Sequence, residues 1–273
     1  MSYKYIIYEK EGGVATITMN RPRNLNAITF PLSDEIIHAI EETKWDDEVG
    51  ALVITGAGRG FCAGADLKGG VPDDVKGENF VGNRNIVEGT DASRQRFFHG
   101  FTKLHKDISH IRKPTIAMIN GPAVGSGMDM ALHCDIRIGC DRTRFVTYQQ
   151  VGQIIENGGS YYLPKIAGLG RALEFAYTGH LDAQRAFEWG VLNRLVPFDE
   201  LESTTRKLCD DIIKAPPLVQ WVSKRIVRSA LDSTLETTMV LTSNGSDILA
   251  SSEDATEARR AFIEKRAPAF KAR

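Results

Sequence analysis

The sequence has few of the features that indicate metal binding, disulfides or nucleic-acid binding. The four cysteines are Cys62, Cys134, Cys140 and Cys209. They form no CxxC pair, and no further His or Cys lies near them at the spacing of a zinc site. We predict reduced, mostly buried thiols, with a Cys134–Cys140 disulfide as the less favoured alternative. The formal net charge of −1 excludes a global attraction to nucleic acid or to an anionic membrane.

Export, membrane-spanning and nucleotide-binding signals are also missing. The first residues, MSYKYIIYEKEGG, contain no basic region followed by an apolar one. No apolar run approaches the roughly 20 residues of a membrane span. Neither GxxxxGK[ST] nor G-x-G-x-x-G occurs at the glycine-rich turns. We therefore predict a cytoplasmic protein that binds neither membranes nor mononucleotides, with 273 residues available for a large core.

Short apolar runs alternate with helical periods along the first part of the chain. The runs around Gly12-Gly13 predict a hairpin, and GALVITGAG, TIAMING and CDIRIGC predict buried strands. Helices are predicted over 33–47, with Ser33 as N-cap, over roughly 93–111, and from about 126. This alternation predicts an α/β fold of repeated strand–strand–helix units.

The composition changes at two places along the chain. Residues 69–92 are polar and glycine-rich, which indicates a functional loop or a partly mobile segment. From about residue 199 the pattern is helical to the end. We therefore predict a core over residues 1–198 and a C-terminal helical lobe over residues 199–273.

Two glycine-rich corners follow predicted strands, GAGRGFCAGADL and INGPAVGSGMDM. A glycine-rich turn that opens a helix presents bare N–H groups and the positive end of the helix dipole, which suits an anion or a developing oxyanion. The alternative is tight packing of strand against helix, where only small residues fit. Either corner taken alone leaves both interpretations open.

Taken together, the corners resemble the two signature segments of the crotonase family (enoyl-CoA hydratase/isomerase). The segments are RGFCAGADL (59–67) and INGPAVGSGMDMALHCDIRIG (119–139), and further matches lie at 20–28, 175–197 and 257–270. The resemblance implies a crotonase-like spiral of ββα units with a C-terminal helical lobe that forms homotrimers, often paired as hexamers. It also implies an acyl-CoA substrate, with coenzyme A as part of that substrate and no metal or redox cofactor.

The resemblance assigns an oxyanion hole to two backbone N–H groups. They belong to Ala65, after the AG of the first signature, and to Ser126, the middle residue of a small-residue triplet that opens a helix. Serine replaces the usual glycine at 126, but its N–H is kept. Such donors stabilise the negative charge that develops on a thioester oxygen, by roughly 3 kcal/mol each.

The acid–base residues depart from the family pattern. Simple hydratases use two glutamates; here the first position is Asp129 and the second is Gln149. Gln149 cannot exchange protons, and its predicted catalytic role is to orient a water molecule or a substrate carbonyl. A replacement acid, Glu156, occupies a position where dienoyl-CoA isomerases and the chlorobenzoyl-CoA dehalogenase carry an aspartate. Asp129 in an apolar helix and Glu156 in a cleft would have raised pKa values suited to acid–base work. The alternatives are a structural role for Asp129 and a solvated turn for Glu156.

Other polar residues near these segments are weaker candidates. Tyrosines 148, 161 and 162 would be able to protonate a substrate oxygen, but they are more simply core residues. His99 and His105 lie on the helix that borders the acyl pocket in the family, and Cys62 is expected to pack beside the oxyanion corner. The resemblance places coenzyme A contacts at five positions: Asn26, Ala27, Lys68, Phe262 and Lys265.

The predicted reaction is hydration/dehydration or double-bond isomerisation, through an oxyanion-stabilised thioester enolate. Hydrolysis of a C–C bond in a cyclic keto-acyl-CoA is the second candidate. A non-catalytic or RNA-binding family member is an alternative of another class, which the near-neutral charge disfavours. The altered acids and the long 69–92 segment favour a cyclic, aromatic-derived or branched acyl group.

Overall fold

The computed structural model describes residues 2–66, 101–149 and 152–271. Lys68, His99 and the predicted loop over 69–92 lie outside the described residues. Within them, no helix is long and apolar enough to cross a membrane.

A six-stranded sheet forms the centre of the molecule, in the order β1-β2-β3-β4-β6-β9. The predicted hairpin is confirmed, because β1 and β2 pair antiparallel across Gly12 and Gly13, which both have positive φ. Every other neighbouring pair in this sheet is parallel. The strands of this sheet are β1 (Ile6–Glu11), β2 (Val14–Met19), β3 (Ala51–Gly56), β4 (Thr115–Ile119), β6 (Ile136–Cys140) and β9 (Arg194–Val196).

A second, three-stranded sheet lies beside it in the order β5-β7-β8. Its strands are β5 (Pro122–Val124), β7 (Arg144–Val146) and β8 (His180–Asp182). Two turns of the chain run through the large sheet, then the small one, then a helix: β4, β5 and the helix from Ser126, and β6, β7 and the helix from Gly159. The chain after β3 follows the same course, since Cys62 forms an isolated bridge to Ala123 of β5. These turns make up the predicted spiral of ββα units.

Ten α-helices lie within the described ranges, and those ranges contain no strand after β9. The first six are α1 (Phe30–Trp45), α2 (Lys103–His110), α3 (Ser126–His133), α4 (Gly159–Ala167), α5 (Leu169–Thr178) and α6 (Ala183–Glu188). The C-terminal four are α7 (Leu201–Ile212), α8 (Pro217–Ala230), α9 (Leu235–Ala250) and α10 (Glu253–Glu264). The predicted change of pattern near residue 199 therefore coincides with the end of the strands.

The predicted start of the first helix is wrong. The helix begins at Phe30, and its N-cap is Thr29, whose side chain accepts a hydrogen bond from the Leu32 N–H. Pro31 lies in the first turn, where a missing N–H costs nothing. Ser33 is buried inside the helix, and Glu35 accepts hydrogen bonds from the N–H groups of residues 4, 5 and 6 instead of serving the helix end.

Alternate side chains of the sheet enter two separate cores. Leu52 and Ile54 of β3 face the main core, with α1, α2 and α3, whereas Ala51 and Val53 pack with Leu201 and Cys209 of α7. The prediction for the cysteines is confirmed, since all four are free and buried. The large parallel sheet, covered on both faces, positions the loops at its strand ends rigidly.

Candidate active site

The two glycine-rich corners meet in space, beyond the ends of β3 and β4. The Val124 N–H donates to the Cys62 carbonyl at 2.8 Å, which joins the corners edge to edge. Gly64 has φ of +81°, and a Cβ there would lie 2.6 Å from the Val124 oxygen and 3.4 Å from the Ser126 nitrogen. Only glycine allows this approach. The corners therefore place residues 65 and 126 next to each other.

Two backbone N–H groups lie at this junction. Within the described residues, neither the Ala65 N–H nor the Ser126 N–H donates a hydrogen bond. Ser126 is the first residue of α3, so its N–H has no partner inside the helix and lies at the positive end of the helix dipole. Gly125, at φ of +48°, makes the turn into the helix. This arrangement suits the predicted oxyanion hole.

Asp129 lies one turn into α3 and is completely buried. Neither carboxyl oxygen makes a hydrogen bond within the described part of the chain. Burial, and then the charge of Glu156, raise the pKa of Asp129 well above its ordinary value, and the nearby Asn157 amide offsets only part of this. A buried acid with so little compensation for its charge is costly to keep, which makes it a candidate for chemistry.

Glu156 lies on the loop before α4, close enough for its charge to act on Asp129. This side chain is half-buried, and burial raises its pKa. The Gly159 N–H donates to the Glu156 carbonyl at 2.8 Å, and a Cβ on Gly159 would lie 2.0 Å from Asp129 Oδ1. The start of α4 is thus pressed against the Asp129 carboxyl. The two acids that sequence analysis singled out share one electrostatic environment.

Gln149 has a different partner. Its amide nitrogen donates to the carbonyl oxygens of Ala176 at 2.9 Å and Phe175 at 3.4 Å, which are among the last of α5. Its amide oxygen is buried without a hydrogen bond among the described residues. No hydrogen bond or ion pair in the same ranges joins Gln149 to Asp129 or Glu156. The side chain therefore acts as a cap of α5.

Sequence analysis missed a buried polar group behind the acids, formed by Ser109, His133 and Asn157. His133 Nε2 lies 2.6 Å from the Asn157 carbonyl oxygen, and its Nδ1 is hydrogen-bonded to the Ser109 hydroxyl. Asn157 Nδ2 in turn donates to Ser126 Oγ at 3.4 Å. One signal was present in the sequence, because His133 stands four residues after Asp129 and shares its face of α3.

The other polar candidates divide between this group and the surface. Tyr162 contacts Ser109 through its hydroxyl at 3.2 Å, while the Tyr161 hydroxyl is bonded to Asp232 and Tyr148 is exposed. His105 is buried against the oxyanion corner, with Nε2 3.1 Å from the Ser126 carbonyl oxygen, and burial lowers its pKa. Cys62 is buried, and burial raises its pKa to about 12, which leaves an unreactive thiol.

The predicted coenzyme A residues lie in two regions. The Asn26 side chain is buried and holds the first corner, through Arg21 N and the carbonyl oxygens of Ala57 and Gly60. Ala27 lies beside it, and its carbonyl accepts a hydrogen bond from Arg21. Phe262, at 86% exposed, and Lys265 lie at the far end of the chain, on and just after α10.

Comparison with known proteins identifies the family. The family model of enoyl-CoA hydratase/isomerase matches residues 9–273. The chain belongs to this family. It is 32% identical over 269 residues to 1,2-epoxyphenylacetyl-CoA isomerase of Escherichia coli strain K12, with 98% of each chain covered. It is 34% identical over 234 residues to 4-chlorobenzoyl coenzyme A dehalogenase-2 of an Arthrobacter species, with 85% of this chain and 80% of the relative covered.

A solved structure supports the same assignment. The chain superposes on the enoyl-CoA hydratase from Bacillus anthracis with a TM-score of 0.88 and 26% identity, and 99% and 100% of the two chains are covered. The predicted crotonase fold is thereby confirmed, and the chain is a crotonase-type enzyme that processes acyl-CoA. The relatives include an isomerase, a dehalogenase and a hydratase. Family membership alone therefore leaves the reaction open.

Proposed function

We propose that this enzyme isomerises a carbon–carbon double bond in the acyl group of a coenzyme A thioester. One observation carries the proposal. Asp129 is buried beside Glu156 with no hydrogen bond to either carboxyl oxygen in the described residues, one turn after the free N–H of Ser126. This arrangement places two proton-transfer groups close to a site for thioester enolate charge.

The pair is suited to hold one proton. Asp129 is the more deeply buried group, and the negative charge of Glu156 further raises its pKa. Glu156 is only half-buried and therefore ionises first. We infer that Glu156 is the carboxylate and Asp129 the protonated acid when substrate binds. A base and an acid are then available without a change of pH.

The proposed reaction moves one proton and one double bond. The Glu156 carboxylate removes the proton on the acyl carbon next to the carbonyl of a β,γ-unsaturated thioester. The electron pair moves onto the thioester oxygen, where the N–H groups of Ala65 and Ser126 stabilise the resulting dienolate. Protonation at the γ-carbon by Asp129 restores the thioester, with the double bond now between the α- and β-carbons. A further proton exchange between the two acids regenerates the starting state.

The position of Gln149 favours isomerisation over hydration. Addition of water requires a second group to activate and hold that water, and simple hydratases of the family use a glutamate where this chain has Gln149. Here the amide at 149 is bonded to the end of α5. Isomerisation needs only the pair that is present. Hydration remains the second candidate, since a water molecule on Glu156 would complete it.

The names of two relatives support a ring-bearing acyl group. One is named as an isomerase of 1,2-epoxyphenylacetyl-CoA and the other as a dehalogenase of 4-chlorobenzoyl coenzyme A. Both names describe a reaction on a ring-bearing acyl group, phenylacetyl-derived in the isomerase and chlorobenzoyl in the dehalogenase. We therefore propose a cyclic or aromatic-derived acyl group for this enzyme as well.

We further propose that coenzyme A binding is completed by self-association into a homotrimer or hexamer. Phe262 lies on α10 and Lys265 directly after it, and the apolar side chains of Phe262 and Ile263 are exposed. On α9, Leu235 and Met239 form an exposed apolar stripe at helical spacing. Covering these side chains would place Phe262 and Lys265 at a neighbouring subunit's site, with Lys68 and Ala27 contacting the remainder of coenzyme A. Asn26 is fully buried and would support the first glycine-rich corner without contacting the ligand.

A mass-spectrometric screen of acyl-CoA esters tests the proposed reaction. The panel pairs β,γ-unsaturated with α,β-unsaturated esters, each with a straight-chain and a ring-bearing acyl group, in buffer containing EDTA. We expect unchanged mass with a shifted double bond, fastest for a ring-bearing ester, and full activity without metal or nicotinamide. A product 18 mass units heavier would support hydration instead, and release of free acid would support hydrolysis.

A further inference from the structure

A chain of hydrogen bonds runs from α8 to the loop of Glu156. Arg228 Nη1 lies 3.1 Å from the Tyr162 hydroxyl, and this hydroxyl lies 3.2 Å from Ser109 Oγ. The Ser109 hydroxyl contacts His133 Nδ1, and His133 Nε2 lies 2.6 Å from the Asn157 carbonyl oxygen. The members are therefore Arg228, Tyr162, Ser109, His133 and Asn157, which we call the clamp.

The clamp has one consistent direction of donation. Arg228 has only donors, so the Tyr162 hydroxyl accepts a hydrogen bond from it and donates one to the Ser109 hydroxyl. The Ser109 hydroxyl then donates to His133 Nδ1, which leaves the histidine proton on Nε2, aimed at the Asn157 carbonyl. Burial, and then His105, lower the pKa of His133 to about 3, in agreement with a neutral ring. Every group in the chain is satisfied once this tautomer is chosen.

The start of the clamp is itself fixed. Arg228 donates through Nε and Nη2 to Asp135 Oδ1, at 2.9 and 2.7 Å, and through Nη2 to the His133 carbonyl oxygen at 2.8 Å. Asp135 is also paired with Lys224 at 2.7 Å. The donor chain thus begins at a partly buried ion pair, in which several contacts fix the guanidinium group.

The other end of the clamp holds an unusual stretch of backbone. Asn157 has φ of +45° and Gly158 has φ of +95°, so two consecutive left-handed residues follow Glu156 directly. A Cβ on Gly158 would lie 2.6 Å from His133 Nε2, so the imidazole packs directly on this turn. A left-handed asparagine persists only where its surroundings hold it, and the hydrogen bond to its carbonyl does so.

We propose that His133 is a positioning residue, which sets the place of the Glu156 carboxylate by holding the Asn157–Gly158 turn through its Nε2–H. The proposal rests on the proposed role of Glu156 in proton transfer. His133 itself transfers no proton. Its removal leaves Asp129 and the oxyanion corner in place but lets the Glu156 loop move, and a displacement of about 1 Å can cost roughly 10²-fold in rate.

Paired substitutions test this role. His133→Phe keeps a buried ring but deletes the donor, His133→Gln keeps an amide N–H near the Nε2 position, and Ser109→Ala removes the bond that selects the tautomer. His110→Gln is the matched control, since His110 is exposed and its Nδ1 is hydrogen-bonded to the Lys106 carbonyl of its own helix. Rates are measured on the best ester of the acyl-CoA panel, together with thermal unfolding of each variant.

We expect His133→Phe to lower kcat by at least about 10-fold with KM changed less than about 3-fold, and His133→Gln to recover most of the loss. Ser109→Ala should fall between them, and His110→Gln should match the wild type. In a Glu156→Gln background, His133→Phe should lower kcat by less than about a further 2-fold, because His133 acts on the rate through Glu156. A wild-type kcat in folded His133→Phe would overturn the proposal, and so would a double variant with Glu156→Gln in which the two losses of kcat multiply. If His133→Phe does not fold, Ser109→Ala takes its place in this double-mutant cycle with Glu156→Gln, and the same outcomes decide.

Amide hydrogen exchange separates this proposal from that of the reaction. The peptide that spans residues 155–162 should exchange faster in His133→Phe than in the wild type, and at the wild-type rate in His110→Gln. Faster exchange with no turnover of any ester by the wild type would count against the proposed reaction and support the clamp. Unchanged exchange in His133→Phe would refute the clamp, even where Glu156→Gln has shown that the glutamate is needed.

Discussion

At the scale of single residues, the run GPAVGSGMDM serves packing and chemistry at different positions. A Cβ at Gly121 would lie 2.3 Å from the Arg59 oxygen, and one at Gly127 would lie 2.4 Å from the Cys62 oxygen, so these two are small for packing. Gly125 has no neighbour within 4 Å of such a Cβ but has a positive φ. Both interpretations of the glycine-rich corners that sequence analysis left open therefore apply, each to different residues.

The role of Ser126 is predicted to depend on its backbone N–H. Ser126→Ala should keep kcat within about 3-fold, since the hydroxyl is occupied by Asn157 and lies beside His105. Ser126→Pro should abolish turnover, because proline lacks the N–H yet is compatible with the first position of a helix. Steady-state kinetics on folded variants check this. An alanine variant as inactive as the proline variant would show that the hydroxyl takes part in the chemistry.

Because of Asp129, the free energy of unfolding of the wild type should fall as the pH rises. Its pKa is raised in the folded state, so folding favours the proton, and this contribution is lost as the pH rises from the ordinary value of 3.8 through the folded pKa. Asp129→Asn should therefore gain stability over the wild type with rising pH, by about 1–3 kcal/mol at pH 8, while turnover falls. Urea unfolding at pH 5 and at pH 8 measures the difference.

Asp135→Asn is a control for which stability should depend on pH in the opposite direction. Burial raises the pKa of Asp135, but Lys224 and Arg228 outweigh burial and hold it below its ordinary value. Its contribution is present at neutral pH and lost on acidification, so this variant should be less stable than the wild type at pH 8. A stability difference for Asp129→Asn that does not change with pH would show that Asp129 titrates alike in the folded and unfolded states.

At the scale of helices and strands, the hydrophobic pattern predicted the strands well but placed one helix end wrongly. The runs around Gly12-Gly13 form the paired strands β1 and β2, and the apolar runs of β3, β4 and β6 correspond to burial in the sheet. Ser33 followed by two acids resembled an N-terminus, yet Thr29 caps the helix and Glu35 binds the backbone of residues 4–6. That contact joins residues about 30 apart, so no local pattern reveals it.

Gln149 is predicted to stabilise α5 and not to take part in catalysis. Gln149→Leu should lower the free energy of unfolding by about 1–2 kcal/mol, because the Ala176 carbonyl oxygen loses its donor at 2.9 Å, while the Phe175 carbonyl oxygen keeps the Gly179 N–H. Turnover should stay within about 3-fold of the wild type. Urea unfolding and steady-state kinetics on the same preparation check both. A loss of kcat above about 10²-fold at unchanged stability would instead support the catalytic role that the family resemblance implied.

At the scale of the whole molecule, the fold and the family were predictable because they depend on local patterns and two signature segments. The Asp129–Glu156 pair was predictable for the same reason. The clamp was not, since its hydrogen bonds join residues 24, 53 and 66 positions apart and leave no periodic trace. The predicted division at residues 198 and 199 stays a prediction, although the strands end close to it.

The exposed apolar side chains of α9 and α10 predict self-association. Light scattering during gel filtration should give the mass of a trimer or hexamer of the 30.2 kDa chain. The double variant Leu235→Glu with Met239→Glu should dissociate, because both side chains are more than 60% exposed in the single chain and each charge would have to be buried. A monomeric wild type would contradict the prediction and leave Phe262 and Lys265 without a site to complete.

The central claim is that Glu156 transfers the proton, and the substitution Glu156→Gln tests it most directly. Glutamine keeps the shape and hydrogen-bonding capacity of the side chain but has no titrating proton. On the best ester of the panel, we predict a loss of kcat of at least about 10²-fold with little change in ester affinity, and loss of exchange of the substrate α-proton with deuterated water. A folded Glu156→Gln variant with near-wild-type turnover and exchange would contradict the account and leave Asp129 and water as the acid–base groups.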